Sequence, residues 1–340
     1  MRQEAGSAAA DAAREYRSLL FSIAYGMTGS VGDAEDIVQD TLVAFTRAVQ
    51  AGTAIENPKA YLTTAVTRSG INYLRSARVR RETYVGEWLP EPVVVPAVGS
   101  GAGGDAGPAE HAELADSLSM AFLLLLETLS PVERAVFMLR EVFGYDYPAV
   151  ARITGKTEVN CRQIFGRARR RITAARSADG VDPDFGPGPG PAPAQRAEGA
   201  ELARRFFEAA AGGDLDALLA LLAPDVVFHG DGGGKAQAAG KPIVGETRVA
   251  RFLTGLFRRG QVAGASLRLA WVNGQPGAVV HDADERVVSV VALEIGDGVV
   301  QTIRGVVNPD KLAHLGPVSD LARVPDRDAP GAPDGGRGDE

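Results

Sequence analysis

The sequence predicts a multidomain protein, two all-α units followed by one α+β unit, on three observations. Apolar residues recur at spacings of three and four up to about residue 177. From about residue 225 the pattern changes to short β-branched runs between turn residues. Two stretches rich in Gly, Ala and Pro, 93–108 and 178–197, separate the three parts. The expected division is 11–92 for the first unit and the start of its linker, 93–108 for a flexible linker and 109–177 for the second unit. A Pro/Gly linker over 178–197 then leads to the third unit, 198–317. Residues 318–340 are rich in Asp, Pro, Gly and Arg, lack the apolar content to pack, and read as a disordered tail.

The elements follow in order. Tyr16, Leu19, Leu20, Ile23 and Ala24 mark one helix, and Ala34, Val38, Leu42, Phe45 and Val49 a second, with Gly29–Gly32 between them. Asn57-Pro58 starts a third helix, an N-cap followed by proline at the first helical position, which runs to about Arg81. The second unit opens with an apolar helix over Leu114–Leu129. Ser130-Pro131 caps the next, Val132–Phe143, and two short helices follow around Thr154-Gly155. The third unit begins with helices at Leu202–Ala211 and Leu215–Leu222. Strands are expected at Asp225–His229, Leu267–Val272, Ala278–His281, Val287–Ile295 and Val299–Val306.

Composition narrows the classes. One cysteine, Cys161, excludes an intrachain disulfide and suits a reducing compartment. Met1–Arg14 has no apolar core, and the longest leucine run, Leu123–Leu126, is far short of a membrane span, so a cytoplasmic protein with no membrane partner is expected. The net charge of -7 argues against a general polyanion binder. The local balance is different, with eight basic residues and one acidic over 150–177, and five arginines without an acid over 68–81.

Residues 147–170 have the form of a helix-turn-helix. Val150 and Ile153 would be buried in its first helix, Gly155 would allow the turn, and Thr157 would cap a second helix whose Cys161, Phe165 and Ala168 face inward. The other face presents Asn160, Arg162, Gln163 and Arg167, donors able to reach base edges, while Arg169, Arg170 and Arg171 suit phosphates. A solvated basic helix closing a bundle is the plainer alternative. Ahead of it, Asp33–Asp40 puts four acids on one helix with no base. Such a surface repels DNA, and the arginine-rich helix that follows makes one small unit with an acidic face for a basic protein and a basic face for nucleic acid. Helix-dipole preference explains Asp33, Glu35 and Asp36 but less easily Gln39 and Asp40.

DAEDIVQDTLVAF, then NPKAYLTTAVTRSGINYLRSARVRRE, then LSPVERAVFMLREVFGYDYPAVARITGKTEVNCRQIFGRARRRI, in that order, resemble regions 2 and 4 of extracytoplasmic-function RNA polymerase sigma factors. Tyr84–Pro92, Asp231-Gly232-Gly233-Gly234-Lys235 and Asn308-Pro309-Asp310-Lys311-Leu312 further resemble the subgroup with a C-terminal SnoaL-like domain, the sigma-J type. The resemblance implies two all-α sigma domains and an α+β cone of the SnoaL/NTF2-like kind. Its partners would be core RNA polymerase and promoter DNA, with an unidentified small ligand in the C-terminal pocket as a further partner and no cofactor. It assigns Asp33, Glu35, Asp36, Gln39 and Asp40 to the polymerase. Arg68, Asn72, Arg75 and Arg78 go to the minus-ten element, and Asn160, Arg162, Gln163 and Arg167 to the minus-thirty-five element. The loop Ala51–Asn57, with Lys59 and Tyr61, would hold an extruded base. Arg68 and Asn72 stand where the wider family has Asn and Asp. The resemblance also suggests that Asp231–Lys235 and Asn308, Pro309 and Asp310 dock on the first unit and on Trp88 and Pro90 of the linker, making the third unit a built-in regulator.

Two other readings compete. A ligand-sensing helix-turn-helix regulator leaves the acidic helix unexplained. A SnoaL-fold isomerase or hydrolase with helical appendages would draw on His229, His281, Asp282 and Arg304, yet all seven tyrosines lie at or before Tyr147, so the tyrosine donor of a ketosteroid-isomerase site is missing. His229 and His281 have no ligand spacing, so no metal is expected. The glycine run lacks the strand-to-helix setting and Ser/Thr of a phosphate loop and reads as a flexible contact loop.

Overall fold

A computed structural model describes residues 2–97, 118–179, 193–258 and 265–320, with side chains described outside 2–10, 77–82, 177–179, 193, 257 and 258. Three helices, α1 (Arg2–Thr28), α2 (Val31–Gln50) and α3 (Pro58–Glu82), form the first unit. Ser30 caps α2 by accepting from Asp33 N, and Asn57 caps α3 by accepting from Ala60 N. The second unit comprises α4 (Met120–Glu127), α5 (Pro131–Phe137), α6 (Tyr147–Thr154) and α7 (Glu158–Asp179). Helix α4 begins later than the periodicity predicts, because Ser119 caps it by accepting from Phe122 N; Leu114–Ser117 lie outside the described residues. Helix α5 has a full capping box between Ser130 and Glu133, and past Phe137 the helix widens into a π-turn, Met138–Val142.

The third unit is a mixed sheet completed at one edge by β1 (Val94–Pro96), seven strands in the order β1-β4-β5-β6-β7-β2-β3. Its strands are β2 (Leu222–Asp231), β3 (Ile243–Val244), β4 (Ser266–Val272), β5 (Gln275–His281), β6 (Val287–Gly296) and β7 (Val299–Val306). Its helices are α8 (Pro193–Gly212), α9 (Leu215–Leu219), α10 (Glu246–Arg258) and α11 (Pro309–Leu312). The β2–β7 pair is parallel and the other pairs are antiparallel.

Two expected linkers and the expected tail give up residues to the folded units. Strand β1 (Val94–Pro96) lies in the stretch read as flexible and adds to the sheet edge antiparallel to β4. Its two β-branched valines fit a pleated edge, and its proline is tolerated there because an edge strand has one side free of the ladder. Helix α8 starts at Pro193 inside the expected Pro/Gly linker, since proline is well placed in a first turn; 180–192 lie outside the described residues. The third unit continues past 317, because Val318 bridges Val287 and Ser319 N donates to Val287 O; 321–340 lie outside the described residues. The short apolar run that opens β2 takes Leu222 away from the preceding helix, which stops at Leu219.

The cores cross the expected boundaries. One cluster joins Leu20, Phe21, Tyr25 and Val38 of the first unit to Leu118, Phe122, Phe137 and Ile172 of the second. Another joins Leu89 of the linker and Met120 of α4 to Val272, Val290, Val306 and Leu312 of the third. The cone has its own core on the opposite sheet face, around Phe206, Leu218, Val226, Leu293 and Ile303. Strand alternation makes this possible: on β6, Val290 and Ala292 serve one core and Val291 and Leu293 the other. Among the described residues no helix is long and apolar enough to cross a membrane.

Candidate nucleic-acid interface and interdomain hub

The helix-turn-helix forms as the residue pattern predicts. Asp146 caps α6 by accepting from Ala149 N, Gly155 turns the chain with φ 66°, and the Thr157 hydroxyl accepts from Asn160 N to start α7. Val150, Ile153, Cys161 and Ala168 are buried, and Phe165 is half-buried between the rings of Phe137 and Tyr147. Arg162, Gln163, Arg167, Arg169 and Arg170 are exposed on one side of α7, and Asn160 is half-buried. Three of the basic residues also carry structural contacts. Arg162 lies over the Tyr147 ring at 4.9 Å and pairs with Glu158, while Arg167 and Arg171 reach Glu133 at 3.8 and 2.8 Å. Burial works to raise the Glu133 carboxyl, but Ser130, Arg171 and Arg167 hold it below the usual carboxylate range.

The acidic helix divides. Asp33 accepts from the Tyr73 hydroxyl, and Glu35 pairs with Arg17 at 2.6 Å, so these two serve the packing of α2 on α1 and α3. Asp36, Gln39 and Asp40 are exposed and form the outward face. On α3, Asn72 and Arg75 are exposed, and the Arg78 side chain lies outside the described residues. Residues 51–54, 56, 57 and Lys59 are also exposed, and Tyr61 packs its ring near Phe45 at 5.7 Å.

Arg68 is exposed, and it donates from Nε to Ile153 O at 3.1 Å and from an Nη to Arg152 O at 3.4 Å, at the C-terminal end of α6. Carbonyls left unpaired at a helix end attract a cation, and a guanidinium is long enough to reach them where the family's Asn is not. Thr63 and Tyr145 share a hydrogen bond at 3.2 Å beside it, so the basic face of α3 partly meets the helix-turn-helix.

The third unit meets the linker at a buried hub. Asp231, at the end of β2 and 0% exposed, accepts from the Tyr84 hydroxyl (2.5 Å), Leu89 N (2.8 Å) and Lys311 Nζ (2.6 Å). Lys311 also donates to Leu89 O and lies over the rings of Trp88 and Tyr84 at 4.5 and 4.8 Å. Asn308 donates from Nδ2 to the Tyr84 oxygen at 2.8 Å and from its backbone to Asp231 O. Burial, then Asp231, pushes the Tyr84 phenol up, so it stays protonated as a donor. Gly233 has φ 57°, and a Cβ there would stand 2.2 Å from Asn308 Nδ2 and 2.9 Å from the Tyr84 oxygen. The glycine run is therefore a tight turn packed on the linker, with Gly232 fully buried beside Ala236 and Gly234 facing Val85. Lys235 departs from expectation: it pairs with Asp310 at 2.5 Å inside the third unit, with both side chains exposed. Pro90 is buried in the same linker and Pro309 in the same motif.

Sequence reading missed several members of this joint. Glu91 caps α2 from outside, accepting from Val31 N at 2.6 Å, Gly32 N at 3.2 Å and the Ser30 hydroxyl at 2.8 Å. Asn273, 2% exposed with φ 50°, donates to the Tyr25 oxygen and Leu118 O and accepts from Val93 N, tying all three units together. The Asn273-Gly274 pair between two strand-like runs, the residue pair of a two-residue hairpin turn, was the available signal. His314 is exposed overall but sits with its ring against Pro92 O at 2.9 Å, where partial desolvation lowers its pKa while that carbonyl and Glu91 oppose the shift. A histidine whose folded pKa lies below its unfolded value supports folding above the unfolded pKa, and that support fades as pH falls through the folded one. The docked segment is thus expected to lose stability on acidification below about pH 6.5. Urea unfolding of wild type and His314→Gln at pH 7.5 and 5.5 checks this, and the variant should show the smaller pH dependence.

The residues considered for proton transfer do not converge. His229 pairs with Glu87 of the linker at 2.8 Å, and Arg304 pairs with Glu294 at 2.5 Å. Asp282 is held at about 2 by the Ser319 hydroxyl and by donors of Arg286 and Asp284. Burial, then Arg268, lowers His281. None of the four lines the cavity of about 130 Å³ between the sheet and its helices. Among the described residues no group of three or more His, Cys, Asp or Glu side chains is placed to hold a metal.

Comparison with known proteins agrees with this layout. Residues 12–80 match sigma-70 region 2, 119–172 match sigma-70 region 4, and 203–307 match a SnoaL-like domain. The ECF RNA polymerase sigma factor SigJ of Mycobacterium tuberculosis is 39% identical over 303 residues, covering 87% of this chain and 90% of the relative. A probable ECF RNA polymerase sigma factor SigI of the same species is 32% identical over 303 residues, covering 89% and 94%. The crystal structure of the extracytoplasmic-function sigma factor SigJ of Mycobacterium tuberculosis superimposes with a TM-score of 0.65 at 33% identity, over 88% of this chain and 96% of that one.

Proposed function

The chain belongs to the extracytoplasmic-function RNA polymerase sigma factors with a C-terminal SnoaL-like domain and is a transcription initiation factor; we propose that this domain is its own regulator, holding the DNA-reading units in a closed arrangement. Core polymerase is engaged through Asp36, Gln39 and Asp40, the exposed part of the acidic face. The minus-thirty-five element is read by Arg162, Gln163 and Arg167 with Asn160, and Arg169 and Arg170 bind phosphates. The minus-ten strand meets Asn72 and Arg75.

The buried Asp231–Lys311 hub carries the regulatory reading, because undocking the linker strips this ion pair of its Tyr84 and Leu89 partners and of the Trp88 ring that cover it. A second observation sets the sign. Promoter elements about 25 base pairs apart are separated by about 85 Å at 3.4 Å per base pair, whereas α3 and α6 are in direct contact through Arg68. The closed arrangement therefore has to open before both elements are read.

In vitro transcription with purified core polymerase tests the proposal. A chain lacking 198–340 is expected to transcribe a cognate promoter at a higher level, and D36K/D40K is expected to lose core binding and all transcription. Unchanged output from the truncated chain would end the regulatory reading, and intact core binding by the charge-reversed chain would end the assignment of α2. Arg68→Asn is expected to weaken the closed contact by about 1.5–3 kcal/mol, the range for hydrogen bonds from a charged donor. Hydrogen exchange at residues 150–154 should rise in the free protein. If Arg68 serves DNA alone, exchange stays at the wild-type level.

A further inference from the structure

The cavity between the sheet and its helices is built for a neutral ligand. About 130 Å³ in volume, it is walled by Phe206, Phe228, Phe252 and Val291 and by further aliphatic residues, with Gln237 and Ser289 the polar side chains on its surface. No lining side chain ionises, so a charged guest would lose its hydration without a partner. Its size is close to that of the roughly 150 Å³ apolar cavities that stay dry and take up benzene.

The strands that line this cavity also carry the hub. On β2, Phe228 and Gly230 line the cavity, while His229 and Asp231 bind the linker at Glu87, Tyr84 and Leu89. On β7 and the residues after it, Gly305 and Val307 line the cavity and Asn308 binds Tyr84. Alternation puts neighbouring residues of one strand on opposite faces, so a displacement of Gly230 moves Asp231 with it. The cavity mouth is formed by Gln237, Ala238 and Ala239, which follow the glycine turn packed on Tyr84 and Val85, and Ala239 N stands 3.1 Å from where a Gly230 Cβ would be.

We infer that this cavity binds an uncharged monocyclic molecule carrying at most one small polar group, and that its occupancy shifts the hold of the sheet on the linker. The binding half stands on the cavity itself; the regulatory half rests on the reading of the third unit as a built-in regulator. Phenol, toluene and benzoate are the probes, titrated into the full-length protein by saturation-transfer NMR while hydrogen exchange follows the Leu89 amide, which donates to Asp231.

Phenol and toluene are expected to saturate one site, and benzoate to bind at least about tenfold more weakly, because its carboxylate would be stripped of water. Exchange at Leu89 should change at least about threefold at saturation, within the range of local opening free energies. Ala239→Phe at the mouth should abolish binding, and Ser289→Ala should weaken phenol while sparing toluene, a pattern that misfolding cannot produce. The ligand assignment is overturned if neither neutral probe saturates or if benzoate binds as well as phenol. The coupling is overturned if Leu89 exchange is unchanged at saturation. Saturable binding with an exchange change, beside unaltered transcription on deletion of 198–340, would leave the site standing and remove the regulatory reading.

Discussion

Replacing Lys311 with Met is expected to cost about 3–5 kcal/mol in the docking of the third unit on the linker, the range for breaking a buried ion pair from one side. The loss is large because of what stays behind. Asp231 would remain fully buried, with the Tyr84 hydroxyl and Leu89 N as donors but without a countercharge. The cation contacts with Trp88 and Tyr84 disappear at the same time. Removing both charges should recover most of the loss, since D231N/K311M leaves no buried ion while the amide can still bond Leu89 and Tyr84. Urea unfolding combined with proteolysis of the 84–92 linker measures both. A Lys311→Met protein within about 1 kcal/mol of wild type would mean that the pair contributes little, as exposed ion pairs do. In transcription the single variant is expected to act in the same direction as the truncation, because both release the linker.

The second large effect is expected at Arg134, which joins the two helical units. Its side chain is 2% exposed, donates to Leu126 O at 3.0 Å and to Met27 O at 2.7 Å, and pairs with Glu127 at 2.8 Å. Met27 O is one of the last carbonyls of α1, which no later turn of that helix satisfies. Arg134→Met fills similar volume but leaves those carbonyls without the guanidinium, and about 3–5 kcal/mol of stability should be lost. For a protein of this size that corresponds to a fall in Tm of about 4–7 °C. Calorimetry of the full chain checks the value. A drop of less than about 2 °C would show that water or neighbouring donors replace the guanidinium at Met27 O.

A large part of the architecture is legible in local pattern. Helices α2, α3, α6 and α7 announce themselves by apolar spacing and by caps at Ser30, Asn57, Asp146 and Thr157, because those signals act within one or two turns. The strands Leu267–Val272 and Val299–Val306 are equally visible as β-branched runs. Where local pattern misleads, a distant partner decides. Val94–Pro96 lies in a stretch that composition marks as flexible, and it becomes a strand because the free edge of β4 supplies the ladder. Helix α10 has the spacing of an amphipathic helix, but its flanking sequence on both sides is rich in Gly and Ala, which hides it. Of the candidate contact residues, Arg162, Gln163, Asp36 and Asp40 are exposed where they were expected to be. Asp33 and Glu35 are half-buried with partners on α3 and α1, and Arg68, though exposed, also reaches α6.

By itself, the order of amino acids determined which segments are helix or strand, which faces are apolar, where opposite charges are concentrated and which family the chain resembles. Tertiary structure alone decided which charges remain available to a partner and which hold the protein closed. Arg68 and Ile153 are 85 positions apart, and Asp231 and Lys311 are 80 apart. Neither pair shares a helical or strand period that could announce it. A guanidinium or carboxylate reads the same in sequence whether it ends in water, against a phosphate or under a sheet. Its role is set by desolvation and by the groups that burial brings within hydrogen-bond reach, and those depend on how the apolar faces of three separate units meet.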